Sequence, residues 1–401
     1  MLESNSDSTI QGTTLALFWV LVSLSWEPGL FGQNAAPALA CISIICITLQ
    51  LFQKHDIRNA ILPIYLSLIP SLYSISKSAF FNTERLSDAS KGLLLSTIAY
   101  SFAYIALTRI SAKILCKYFV LVMAIISLSL IASYLIYGAS LANCQPIFSF
   151  KIKHYGDATA DVYFPFTIAY PQRYTLLSFT VIRGMGMFRE PGVSQAFLNA
   201  ALICCGLLWR GWSAHFRAAI IFLGIVLTMS TAGIINLMIS IPLYAICVYG
   251  KKAIVPVFIA TLFLMPAFAF ITNMESVGLH DKLSGESGED RLNAFAEFQR
   301  LWSDAGIWGL SGIGRYKTES TAGTLLIYYL NNGLIGLVAS MAPIIYFLTK
   351  SHLGKALLVL VPPSISMLTS QTLWGTVPFV VLVALAQKLS LETTTSNSSS
   401  D

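Results

Sequence analysis

Charge is what this sequence has least of. Charged residues make up 11% of it, against roughly 25% in ordinary soluble domains. Hydrophobic residues reach 55%, and the mean hydropathy is +0.70. Water cannot cover that much apolar surface, so a soluble globular domain is excluded and an integral membrane protein is expected. Basic runs are also missing. The net charge is +6, but no cluster or soluble domain carries it, which removes nucleic acid as a partner and leaves the lipid bilayer. The first apolar stretch follows Glu3 and Asp7 rather than a basic segment, so no cleavable signal peptide is expected. Metal-ligand spacing is absent too. Six of the seven cysteines fall inside apolar segments, with Cys144 alone in a long loop. They read as small apolar side chains, and neither a metal nor a cofactor is expected.

What is present is a series of long apolar runs. A spanning helix takes about 20 apolar residues, and by that ruler there are about twelve spans. They fall near 9–26, 36–53, 60–76, 92–108, 114–138, 192–209, 217–231, 233–250, 253–272, 323–349, 355–370 and 373–388. The chain is therefore expected to be one polytopic, all-α membrane domain over 1–401. Its Ser/Thr-rich tail, 393–401, is expected to be disordered.

Basic residues mark alternate connections: Lys54 and Arg58, Arg109 and Lys113, Arg210 and Arg217, Lys251 and Lys252, Lys350 and Lys355. The positive-inside rule puts this side, and both termini, in the cytoplasm. The connection at 77–91, with Lys77, Arg85 and Lys91, breaks the pattern. Two long extracytoplasmic loops remain, about 139–191 and about 273–322.

On these boundaries no Asp or Glu sits mid-span, which counts against an ion-coupled transporter. The charge able to act on a ligand is in the two loops. Lys151, Lys153, Arg173, Arg183 and Arg189 lie in the first, and Lys282, Arg291, Arg300, Arg315 and Lys317 in the second. Cations are disfavoured on this side. A diphosphate at the membrane surface would call for them, arginine above all, whose planar fork matches phosphate oxygens. The plainer reading of any single one is a solvated surface charge.

The most distinctive stretch is Arg183-Gly-Met-Gly-Met-Phe-Arg-Glu-Pro-Gly192. Pro191 suits the first turn of a helix, which leaves Arg189 and Glu190 at its outer mouth. The plain alternative is a loop-to-helix junction with a snorkelling arginine. In the second loop, Ser287 and Asp290 resemble a capping box. Phe295, Phe298 and Trp302 then share a face behind Arg291, as in a short helix lying on the membrane. Gly309-Leu-Ser-Gly-Ile-Gly314 lacks the order and the Lys-Ser/Thr of a nucleotide loop, and reads as a turn carrying Arg315 back to the membrane.

Phe188-Arg-Glu-Pro-Gly192 entering a helix, an Arg-led helix in a late loop, Gly309–Gly314 and then Gly333-Leu-Ile-Gly336 together resemble the O-antigen polymerase and ligase superfamily of bacteria. The resemblance covers roughly 180–340. It implies a GT-C-like bundle of about a dozen spans in the inner membrane, with its active site facing the periplasm. It also implies an undecaprenyl-diphosphate-linked oligosaccharide as substrate, no metal, and a separate chain-length regulator as a membrane partner. By the same resemblance the diphosphate is held by Arg183 or Arg189 from the first loop and Arg291 from the second, with Arg315 a further candidate; Arg189 and Arg291 are expected to be catalytic, and Arg173 and Lys317, as loop cations, are further candidates to hold diphosphate or glycan. Glu190 is the candidate base, ahead of His280. Tyr155, Tyr163, Trp302 and Trp308 could stack on sugars or anchor at the interface.

The ligase branch carries a His at the position that Ala322 occupies here, followed by Gly323, so the polymerase branch is favoured. The rival readings are that ligase, a lipid-linked oligosaccharide flippase, and a purely structural membrane protein.

Overall fold

The computed structural model describes residues 110–138, 144–151, 159–176, 179–188, 190–253, 333–339, 355–369 and 377–398, together with scattered single positions. The described part is mostly helical. Three of its helices are long and apolar enough to cross a membrane: Ala112–Tyr137, Pro191–Leu208 and Ala232–Tyr249. We label the first two α1 and α2. Trp212–Leu227 is α3, Thr231–Tyr249 α4, Val361–Thr369 α5 and Val377–Ser398 α6. The expected spans at 114–138, 192–209 and 233–250 coincide with α1, α2 and α4 to within two residues at each end. Those at 36–53 and 92–108, and most residues of 9–26, 60–76, 253–272 and 323–349, lie outside the described residues.

Two expectations shift. The span placed at 217–231 begins earlier, at Trp212, after Gly211 takes a positive φ of 65°. It ends at Leu227, because Thr228-Met229-Ser230 makes a tight turn into α4 with Met229 at φ 48°. The span placed at 355–370 is two pieces, a 3-10 turn over Lys355–Leu360 and then α5. Pro362 and Pro363 sit in the first turn of α5, where a missing amide hydrogen removes no intrahelical bond. The last helix, α6, spans Val377–Ser398.

The bundle is organised around α2. Sixteen of its eighteen residues are buried, and it packs against α1, α3, α4 and α5. Where α1 crosses α3, Gly224 lets the backbones close up, since a Cβ there would stand 2.2 Å from the Ser127 Oγ. Close approach at small residues is how helices gain dispersion energy when lipid is the solvent.

The all-α expectation needs correcting in the first long loop, which holds a four-stranded antiparallel meander in the order β1-β2-β3-β4. The strands are Phe148–Lys151, Thr159–Tyr163, Thr167–Leu176 and Phe179–Gly186. Alternation directs Ala160, Val162, Ile168 and Met185 into one small core and Tyr163, Ala169 and Ile182 into another, against Tyr134 and Tyr137 of α1. β4 lies on α1 itself, where Gly184 and Gly186 face Leu130 and Ile126.

The opposite end of the bundle is tied by cations. Arg210 Nη1 donates to the carbonyls of Gly206 (2.8 Å) and Cys247 (2.7 Å), joining the C-terminal ends of α2 and α4. A positive charge belongs where two helix dipoles end. Beside it, His215 is held between the hydroxyls of Tyr244 and Tyr249 at 2.9 and 3.0 Å, and Arg217 lies 4.6 Å above the Trp209 ring. At the start of α1, Lys388 donates to the carbonyl of Ile110.

Candidate functional site

The distinctive stretch at 183–192 forms the junction between β4 and α2. Arg183 is inside β4 and only 8% exposed. The Tyr134 hydroxyl of α1 donates to the carbonyl of Ile182, its neighbour in β4. After Gly186, at φ 61°, the chain turns. Phe188 is fully buried and stacks on Phe197 of α2, with centroids 5.5 Å apart and planes 6° from parallel. This stacking sets the angle at which the chain enters the helix.

Glu190 is the N-cap residue, extended at φ −147° and ψ 147°, with Pro191 in the first turn. Its carbonyl accepts from the amides of Val193 (3.2 Å) and Ser194 (3.1 Å). Glu190 thus stands half-buried at the positive end of the central helix.

Of the residues singled out from the sequence, Arg183 and Glu190 flank this one junction. Arg173 joins them through its backbone, because β3 pairs it with Ile182, the neighbour of Arg183. Arg189, Arg291, Arg315 and Lys317 lie outside the described residues, as do Gly309–Gly314 and Ala322. Of the expected surface helix, Asn293, Ala296, Gln299 and Arg300 are helical and exposed. Tyr163 of β2 is turned inward. It is 2% exposed and packs edge-on against Tyr137 at 5.7 Å.

Below the mouth is a layer that a search for ionisable residues overlooks. Gln195 Nε2 donates to the Gly192 carbonyl (2.9 Å) and to Ser366 Oγ (2.8 Å). Asn236 Nδ2 donates to the same Ser366 Oγ (2.8 Å) and to Gln195 Oε1 (3.0 Å). Asn199 Nδ2 donates to the Gln195 carbonyl at 2.9 Å and to its Oε1 at 3.2 Å. All four side chains are fully buried. The layer links α2, α4 and α5 without any charge. Its sequence signal was the pair Gln195 and Asn199, four apart on one face of an otherwise apolar run.

Compared with family models the chain matches none, and no curated protein aligns with it. The likeness to the polymerase and ligase superfamily therefore rests on the motifs of this chain.

Proposed function

We propose that the chain is a membrane glycosyltransferase that polymerises undecaprenyl-diphosphate-linked oligosaccharide units into a surface polysaccharide at the periplasmic face of the inner membrane. The observation that carries this reading is the 183–192 junction, where a buried arginine in β4 is followed by an N-cap glutamate at the head of the central helix. In the proposed reaction a hydroxyl of one lipid-linked unit attacks the anomeric carbon of the growing chain. The new glycosidic C–O bond forms as the sugar–phosphate C–O bond breaks, and undecaprenyl diphosphate leaves with the electron pair. Cations aimed at the diphosphate stabilise the departing charge: Arg183 with Arg189 and Arg173 from the first loop, Arg291, Arg315 and Lys317 from the second. Glu190 accepts the hydroxyl proton. A chain-length regulator is the expected membrane partner.

Ala322 argues against the ligase. The exporter reading draws on the buried amide layer of Gln195, Asn199 and Asn236. That layer is bonded mainly to itself and carries no charge, so it supports the exporter less than the junction supports the polymerase.

The test is the polysaccharide ladder on a gel. A strain deleted for this gene is complemented with wild type, Arg189→Ala or Arg291→Ala at matched expression. A polymerase leaves single repeat units on the lipid core in the deletion and in both variants. Long polymer on the carrier lipid with an empty core would mean a ligase instead. A normal ladder in the deletion would sink both.

A further inference from the structure

The β2–β3 turn, Phe164-Pro165-Phe166, does not stand above the bundle. Ser133 Oγ of α1 donates to the carbonyl of Phe164 at 2.8 Å, and Ser129 Oγ is 3.1 Å from Thr167 Oγ1. Ser133 and Ser129 precede Tyr137, the last residue of α1, by four and eight positions. At 1.5 Å per residue they lie about 6 and 12 Å back from the helix end. Both phenylalanines of the turn are nevertheless open, Phe164 53% and Phe166 58% exposed. Ile147 and Phe148, at the same end of the sheet, are exposed as well.

The depth of the turn follows from α1. Its exposed residues include Lys113, Lys117, Leu121, Ile125 and Leu128. They form one stripe at helical spacing, basic at the start and apolar beyond. The two lysines fix the inner surface by snorkelling. A hydrocarbon layer of about 30 Å, or about 20 helical residues, counted from them ends between Ser133 and Tyr137. The level of Ser129 is then about 6–12 Å inside that layer. No charged residue occurs between Asp161 and Arg173, so nothing in the turn resists burial in lipid. The usual obstacle to non-helical backbone at that depth is an unsatisfied carbonyl, and here Ser133 satisfies that of Phe164.

We infer that the Phe164–Phe166 turn is a wedge immersed among the acyl chains of the outer leaflet, where it anchors the sheet, and with it Arg183, at a fixed depth. The occupant of the exposed aromatic face is bilayer lipid. The turn bonds to α1 at Ser129 and Ser133, within the depth counted from the two lysines, and its charge-free composition suits no aqueous partner. The inference rests on the membrane reading of the chain.

The test is nitroxide accessibility in the full chain reconstituted in phospholipid vesicles. Single labels are placed at Phe166→Cys, Phe164→Cys, Leu128→Cys and Thr159→Cys, with labelled wild type subtracted for the native thiols. Leu128 is the reference on the α1 stripe, and Thr159 is exposed at the far end of β2. The ratio of collisions with oxygen to those with a water-soluble nickel chelate should be as high at 164 and 166 as at 128, and several-fold above that at 159. The two phenylalanine positions are independent, so misfolding of one variant leaves the other to decide. If 128 reads as lipid while 164 and 166 read like 159, the wedge is wrong and the membrane reading survives. If 128 also reads as water, both fall.

Discussion

The hydroxyl of Tyr134, one turn from the end of α1, donates to the backbone carbonyl of Ile182 in the last strand of the sheet. This bond pins β4 to the helix one residue before the buried Arg183. Tyr134→Phe keeps the ring and removes the donor, leaving a buried carbonyl short of a partner at a cost of about 1–2 kcal/mol. A lower thermal unfolding midpoint in detergent is expected. Arg183 is also expected to lose its fixed position, so the ladder should shorten in cells even where the variant is expressed normally.

The two glycines of β4 should respond differently to alanine. At Gly184 a new Cβ would stand 2.4 Å from Leu130 Cδ2, the far end of a side chain. Gly184→Ala should therefore destabilise and should be largely rescued by Leu130→Ala, which empties that space. At Gly186 the contact is Ile126 Cγ2 at 2.6 Å, and the backbone also has φ 61°. A left-handed conformation costs a residue with a Cβ about 1–2 kcal/mol whatever its neighbours do. Ile126→Ala should then fail to restore Gly186→Ala. Melting midpoints of the four single and two double variants decide this, and full rescue at Gly186 would refute the backbone argument.

The helices were legible because an apolar run of membrane length admits one structure, in which every backbone group bonds within its own segment. That is why 114–138 anticipated α1 so closely. The sheet was not legible, for local reasons. β3 contains Pro171, and proline in a run argues against a strand. The structure accommodates it where the register slips, between Ala169 and Arg173. β4 carries Gly184 and Gly186, which also weaken a strand pattern, yet it needs them to lie against α1. At the site, Pro191 announced the start of α2 and so located Glu190. The burial of Arg183 depends on a strand pairing that no local pattern reveals.

Ser366 and Ser240 are both fully buried hydroxyls, yet alanine should separate them. Ser366 Oγ accepts from Gln195 and Asn236 together, so Ser366→Ala leaves two amide donors short of a partner. Hydrogen bonds between membrane helices average about 0.6 kcal/mol each and reach about 1.7, so a loss of about 1–2 kcal/mol is expected. Ser240 Oγ has no hydrogen-bond partner among the described residues. Ser240→Ala should be neutral within about 0.5 kcal/mol, or stabilising. Equal effects of the two changes on the unfolding midpoint would show that the amide layer does not hold α2, α4 and α5 together.

Arg183→Lys tests the proposed chemistry more sharply than alanine. Removing a buried side chain to alanine opens a cavity in β4, and a lost ladder would then report a damaged sheet as readily as a lost ligand. Lysine keeps the positive charge and most of the volume but gives up the planar fork that binds two phosphate oxygens at once. If Arg183 grips a diphosphate, the lysine variant should melt within a few degrees of wild type and still leave mainly single repeat units on the lipid core. The KM for the lipid-linked donor should rise at least as much as kcat falls, because ground-state binding is lost with the fork. A full-length ladder from Arg183→Lys would show that charge alone suffices at this position. The diphosphate grip would then have to come from Arg189 and the second loop.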